Sequence, residues 1–149
     1  MTTAYNGQLW EQNDGCLRLK VKGNVVAAMG DIAVLNAGYL DVGASGTGLK
    51  IVGTFAEAVN TTGASDGDVF GGEIGPQVNL DMTNRLFWFA NSSGGDAITQ
   101  ADCGKIAYIN GARTVTDTST SRSVAGTILA LDSTAANVLV KLEPLGIGL

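Results

Sequence analysis

Two stretches of the chain hold residue types that do chemistry elsewhere, and each lacks part of what that chemistry requires. "GASGTGLK", Gly43 to Lys50, has the glycine content of a phosphate-cradling loop. Leu49 separates the second glycine from Lys50, and Ile51 stands where a Ser or Thr hydroxyl would bind magnesium, so the lysine is not brought to a phosphate. The stretch reads as a flexible loop. "SDGD", Ser65 to Asp68, puts two carboxylates in a turn where calcium would find ligands, but the further acidic positions of a calcium loop are missing. Asp-Gly is also the chemistry of a tight hairpin turn, and such a turn is the expectation.

The chain contains no histidine, which removes Ser-His and Cys-His nucleophile pairs and the commonest zinc and iron ligand. Cys16 and Cys103 cannot build a four-cysteine zinc site. They allow at most one internal bridge, and a reduced pair is expected from the burial preference of free thiols. Glycosidase chemistry needs two carboxylates at a fixed separation, and nothing marks any two of the acidic residues as that pair. The expectation is a protein that is not an enzyme and carries no cofactor and no metal.

The elements available to hold any site are short and turn-rich. With 149 residues, 45% hydrophobic and only 15% charged, the chain has the length of one domain and enough apolar surface for a core. Its 21 glycines point to many turns. A formal charge of −5 argues against a nucleic-acid or anionic-membrane footprint. The start, "MTTAYNGQLW", lacks the basic and apolar regions of a secretory signal, and "VVAAMGDIAVL" is too short for a membrane helix, so a soluble, non-exported protein is expected.

Period-two alternation dominates the pattern. In "LRLKVK" apolar Leu17, Leu19 and Val21 alternate with basic Arg18, Lys20 and Lys22, giving one buried face and one wet face. That basic face would either dock an acidic partner or keep an edge strand from pairing. "RLFWFA" is an aromatic strand in which Phe87, Trp88 and Phe89 cannot all point the same way, so core and subunit contact are both open to them. "RTVTDTSTSRS" suits an extended edge and an exposed loop. The closest approach to a helix is "AITQADCG", where Thr99 could cap one short turn closed by Gly104.

The chain also repeats itself. "GDIAVLN" (Gly30 to Asn36) matches "GKIAYIN" (Gly104 to Asn110), and "VGTFAEAV" (Val52 to Val59) matches "VAGTILAL" (Val124 to Leu131) at nearly the same separation. A degenerate duplication, roughly Gly30 to Gly75 and Gly104 to Glu143, would make each copy a strand followed by a hairpin. Recurrence of strand, glycine turn and strand in any β-protein is the competing account, and matching strand orders would separate the two. The fold class expected is all-β, one domain over 1–149 in the form of a single small barrel or sandwich, with residues 1–15 as an N-terminal arm and 16–149 as the body.

The second half, from "FWFANSSGGDAITQADCGKIAYI" through "RTVTDTSTSRSVAGTI" to "NVLVKL", resembles the capsid cement or head-decoration proteins of tailed bacteriophages. With "GDIAVLNAGYL" and "GLKIVGTFAEAV" in the first half, the likeness covers roughly Ala28 to Leu142. The resemblance implies a jelly-roll-like or β-tulip-like virion protein, made in the host cytoplasm, that sits on the outer surface of the capsid. Its partners would be the major capsid protein and itself, as a trimer or a dimer, and it would present apolar strand edges to them. No catalytic residues belong to that family. A tail- or fibre-associated β-domain that recognises a host surface is the alternative. Tyr5, Leu9 and Trp10 are candidate anchors of the arm, unless residues 1–15 supply the first strand of the barrel. With Arg18, Lys20, Lys22, Phe87, Trp88 and Phe89 they make up the candidate interface.

Overall fold

The computed structural model describes residues 17–75 and 86–142. The first of these segments forms β1 (Leu17–Val21), β2 (Val26–Ala27), β3 (Ile32–Asn36), β4 (Tyr39–Val42), β5 (Lys50–Phe55), β6 (Val59–Asn60) and β7 (Val69–Gly75). The second forms β8 (Leu86–Asn91), β9 (Ile106–Ile109), β10 (Thr114–Thr116), β11 (Val124–Leu131) and β12 (Asn137–Leu142). The protein is all-β, and it closes twice: β1-β4-β3-β5-β7 form one barrel and β10-β8-β12-β11-β9 another, with β2 and β6 paired in a small separate sheet.

The two barrels have one topology. Leaving out β2 and β6, each ring runs first, third, second, fourth and fifth strand of its half. In each the first strand pairs in parallel with the third, and every other ladder is antiparallel. The repeat is therefore a complete five-stranded ring, which is why closure occurs twice. It is also longer than the sequence match, because β1 and β8 are counterparts although "LRLKV" and "LFWFAN" share no residue at equivalent positions, Leu17 corresponding to Phe87.

Register makes the correspondence residue by residue. Ile32 pairs with Thr54 and Ala33 with Gly53, just as Ile106 pairs with Thr127 and Ala107 with Gly126. The next pairs are Val34 with Ile51 and Tyr108 with Val124, leaving Val52 and Ala125 as the extra residue of the same β-bulge. Gly30 and Gly104 occupy the left-handed region, with φ of 93° and 95°, a conformation that costs a residue bearing Cβ. The Gly30 N–H donates to the Phe55 carbonyl and the Gly104 N–H to that of Ile128, each over 2.7 Å. In return the Phe55 and Ile128 N–H groups donate to Asp31 and Lys105, each over 2.9 Å. The matched strings in the sequence are the residues of this glycine-and-bulge clasp.

Two buried clusters divide the core unequally. Val21, Val25, Ala27, Ala33, Leu40, Phe55 and Val59 make up the first barrel's. The second barrel's interior, from Phe89 and Ile109 to Val140 and Leu142, is joined by Ile32, Val34 and Ile51 of the first. The two faces of β3 thus serve different cores: Ala33 points into its own ring, while Ile32 and Val34 point out into the neighbour's. Polar contacts seal this seam. The Ile32 N–H donates to the Ala112 carbonyl (2.7 Å), the Leu49 N–H to Ser123 Oγ (3.0 Å), and Ser123 Oγ–H to the Gly46 carbonyl (2.8 Å). The Arg113 guanidinium donates to the Asp31 carboxylate and to the Met29 carbonyl.

Three local expectations are corrected by closure and by this seam. β1 has a neighbour on each side, so Arg18, Lys20 and Lys22 do not guard an edge. β10 likewise lies between β8 and β9, with Val115 and Thr116 fully buried, so "RTVT" is an interior strand although Ser119, Thr120 and Ser121 after it are exposed. "GASGTGLK" is pinned at Gly46 and Leu49 by Ser123. The turn over "AITQADCG" forms as a 3-10 turn, Gln100–Asp102, followed by Gly104 in its left-handed conformation.

Asp102 reaches back to the Thr99 N–H (2.8 Å) and accepts from Lys105 Nζ (3.1 Å). The backbone hydrogen bond first, and Lys105 second, hold its carboxyl below the ordinary value of 3.8. A depressed folded-state value stabilises the fold above the unfolded-state value and is lost as pH falls through the folded one. The stability gap between the wild type and Asp102→Asn should be full at neutral pH and shrink on acidification below about pH 4; denaturant titrations across that range check it. A Cβ on Gly126 would lie 2.0 Å from the Lys141 carbonyl oxygen, whereas one on Gly46 meets nothing within 4 Å. Gly126→Ala should cost about 1–3 kcal/mol, and Gly46→Ala should stay within about 0.5 kcal/mol, measured by thermal unfolding.

Candidate binding surface

Among the described residues no cluster of three or more Cys, Asp or Glu is placed to hold a metal ion. "SDGD" is a turn held by its own chain. The Ser65 N–H donates to Asp68 (3.0 Å), the Gly23 N–H to Asp66 (2.8 Å), and the Gly67 N–H to the Val21 carbonyl (2.9 Å). The Gly23 hydrogen bond, with a smaller contribution from Lys22, lowers the Asp66 carboxyl from its ordinary range. Cys103 is a free thiol, while Cys16, Tyr5, Leu9 and Trp10 lie outside the described residues.

What the fold does build is contrasting outer walls. On β1 the alternation holds: Val21 is buried and Leu19 packs beside it, while Arg18 and Lys20 are exposed. Arg18 pairs with Glu57 (2.9 Å) and Lys22 with Asp66 (3.4 Å), so two of the three cations are engaged within the first barrel. Lys20 lies opposite Phe70 of β7, whose ring is 69% exposed.

On β8, the counterpart strand, the inward face carries Phe87 and Phe89. Their rings stack with centroids 6.1 Å apart, and Phe89 is only 4% exposed. The outward face carries Leu86 and Trp88, 46% and 54% exposed. The aromatic strand therefore divides its roles: Phe87 and Phe89 belong to the core and Trp88 to the surface.

The apolar row continues across neighbouring strands. Trp88 lies opposite Leu139 of β12, and Leu139 lies opposite Ala130 of β11. Next to Ala130 the ladder slips by one residue, and the unpaired residue is Leu129, which the bulge turns out to solvent. Trp88, Leu139 and Leu129 thus cross three adjacent strands of a closed barrel. The sequence announced Trp88, but Leu129 was hidden in an ordinary alternating strand because a bulge leaves no mark in residue type. The Trp88 position corresponds to Arg18 in the first barrel, so the shared fold does not require an aromatic residue there.

Comparison of the chain with protein-family models, with curated proteins and with solved structures gives no match. The surface is accordingly read on its own chemistry: an apolar row that ends in the Trp88 indole, with Lys141 opposite Leu86 at its margin. Such a row fits contact with another protein surface. Replacing Trp88 by Arg, the counterpart residue, should move the unfolding midpoint little, since the ring is half in solvent. Phe89→Ala should cost about 3–5 kcal/mol. Thermal melts of the two variants test this division of roles.

Proposed function

We propose that this chain is a structural virion protein that binds the outer surface of a tailed-phage head and ties neighbouring major capsid subunits together. The observation that carries the reading is the outward row of exposed Trp88 and Leu129 with partly buried Leu139 between them, on a ring that is already closed and has its core filled. Closed rings offer no ladder edges, so the contact is made by side-chain faces and not by the strand edges expected from the resemblance. The likeness of the β8–β12 half to head-decoration proteins supplies the kind of partner. Many copies, each with a modest apolar contact, stabilise a shell strongly because each engaged site raises the effective concentration at the next.

The test is the number of copies of the chain relative to the major shell protein in purified particles of its source. Near-stoichiometric amounts are expected, and heads assembled with Trp88→Arg should retain at least tenfold less of the chain at equal input. A handful of copies would assign it to the tail or fibre, and complete absence from particles would overturn the virion reading.

A further inference from the structure

We infer that the outer β9–β11 wall of the second barrel docks onto the open end of the first barrel of another copy, repeating between molecules the seam found within one. The seam joins unlike surfaces. The β3–β5 wall of the first barrel, through Ile32, Val34 and Ile51, covers the end of the second barrel that carries Ile109, Ala112 and Ser123. Because the barrels are equivalent strand by strand, the second barrel has the same wall and the first has the same end, and among the described residues neither is used in this way.

Both halves of the unused pair bear its mark. The counterparts of Ile32, Val34 and Ile51 are Ile106, Tyr108 and Val124, by the shared register and bulge. All three are apolar or aromatic, only partly buried, and absent from the core clusters. An outward row on an antiparallel ring facing water is ordinarily polar, and at the β1/β8 positions the copies have diverged from Arg18 to Trp88. Yet the wall positions stay apolar in both copies, although among the described residues only the first barrel's wall enters the core of the other barrel. At the receiving end, Ile109 is fully buried, while its counterpart Leu35 is only partly buried beside the exposed Ala37–Gly38 turn and exposed Lys50. One barrel end is roofed by a neighbouring barrel and the equivalent end is not.

A wall-to-end contact is heterologous: it leaves one unused wall and one unused end on every pair, so assembly proceeds to a ring or an open chain and does not stop at a two-fold dimer. The inference stands apart from the capsid reading, since the contact is between copies of this chain alone and uses neither Trp88 nor Leu129.

The experiment uses the full chain in sedimentation velocity over a hundredfold range of concentration. The wild type should form species larger than a dimer. Tyr108→Glu, which puts a charge on the wall, and the double variant Ala37→Asp with Lys50→Glu, which puts two at the open end, should each be monomeric with an unchanged melting temperature. Asp tolerates the left-handed backbone at position 37. Mixed together, the two should form one-to-one heterodimers and nothing larger, through the one intact wall and the one intact end. If Tyr108→Glu fails to fold, Val124→Asp takes its place. A wild type monomeric throughout, a wild type that stops at a dimer, or a mixture that stays monomeric would overturn the inference.

Discussion

The structure depends on one strand having two apolar faces. In a barrel that stands alone, a strand buries alternate residues and shows the rest to water. β3 does not follow that rule, because Ile32, Ala33 and Val34 are all fully buried. Ala33 fills its own ring, and the residues on either side of it extend the core of the other. Were Ile32 and Val34 polar, the first barrel could still close, but the second would lose part of the cluster that fills it. The join between the repeats is thus a matter of packing, and the polar bonds around it, from Ala112, Ser123 and Arg113, fix its orientation.

Much of this was legible in the sequence, and what was not has physical causes. The duplication showed itself at the glycines and at the "GT" after each bulge, where backbone geometry leaves little choice of residue. It disappeared over β1 and β8, where the requirement is only for alternate apolar side chains and "LRLKV" satisfies it as well as "LFWFAN". The inward and outward assignments of Leu19 and Lys20 followed from period two and hold in the fold, whereas for Phe87, Trp88 and Phe89 the alternation said only that they divide between two faces, and the fold assigns Trp88 to the outer one. Closure was not legible, because a strand flanked by two neighbours and one flanked by a single neighbour carry the same alternation. Only the ring removes the edge expected of the Thr-rich β10 and the edge that was one of two readings of the basic face of β1.

The pinning of "GASGTGLK" belongs with closure among the features that local sequence leaves unspecified. Its glycines read as conformational freedom, yet a single hydroxyl from Ser123, far away along the chain, both donates to Gly46 and accepts from Leu49. Ser123 is 6% exposed. A buried hydroxyl without partners would carry a desolvation cost, and here the loop supplies both a carbonyl and an N–H. The loop is held because the second barrel needs those two groups, a reason that lies outside the loop.

Divergence between the copies shows which surfaces the fold requires and which were free to take on other work. The glycine clasp and the bulge recur because each ring closes through them. The outward position of the first strand is under no such demand, and it bears Arg18 bonded to Glu57 in one barrel and the exposed Trp88 in the other. An indole half in water has no role in holding its own barrel together that Arg18 shows to be necessary. Its exposure continues over the partly buried Leu139 and over Leu129, turned outward by a bulge, whereas the first half exposes Val26, Met29 and Phe70. Two rings of identical topology thus expose different apolar residues, because closure fixes what the inward face of each strand must be and leaves the outward face free.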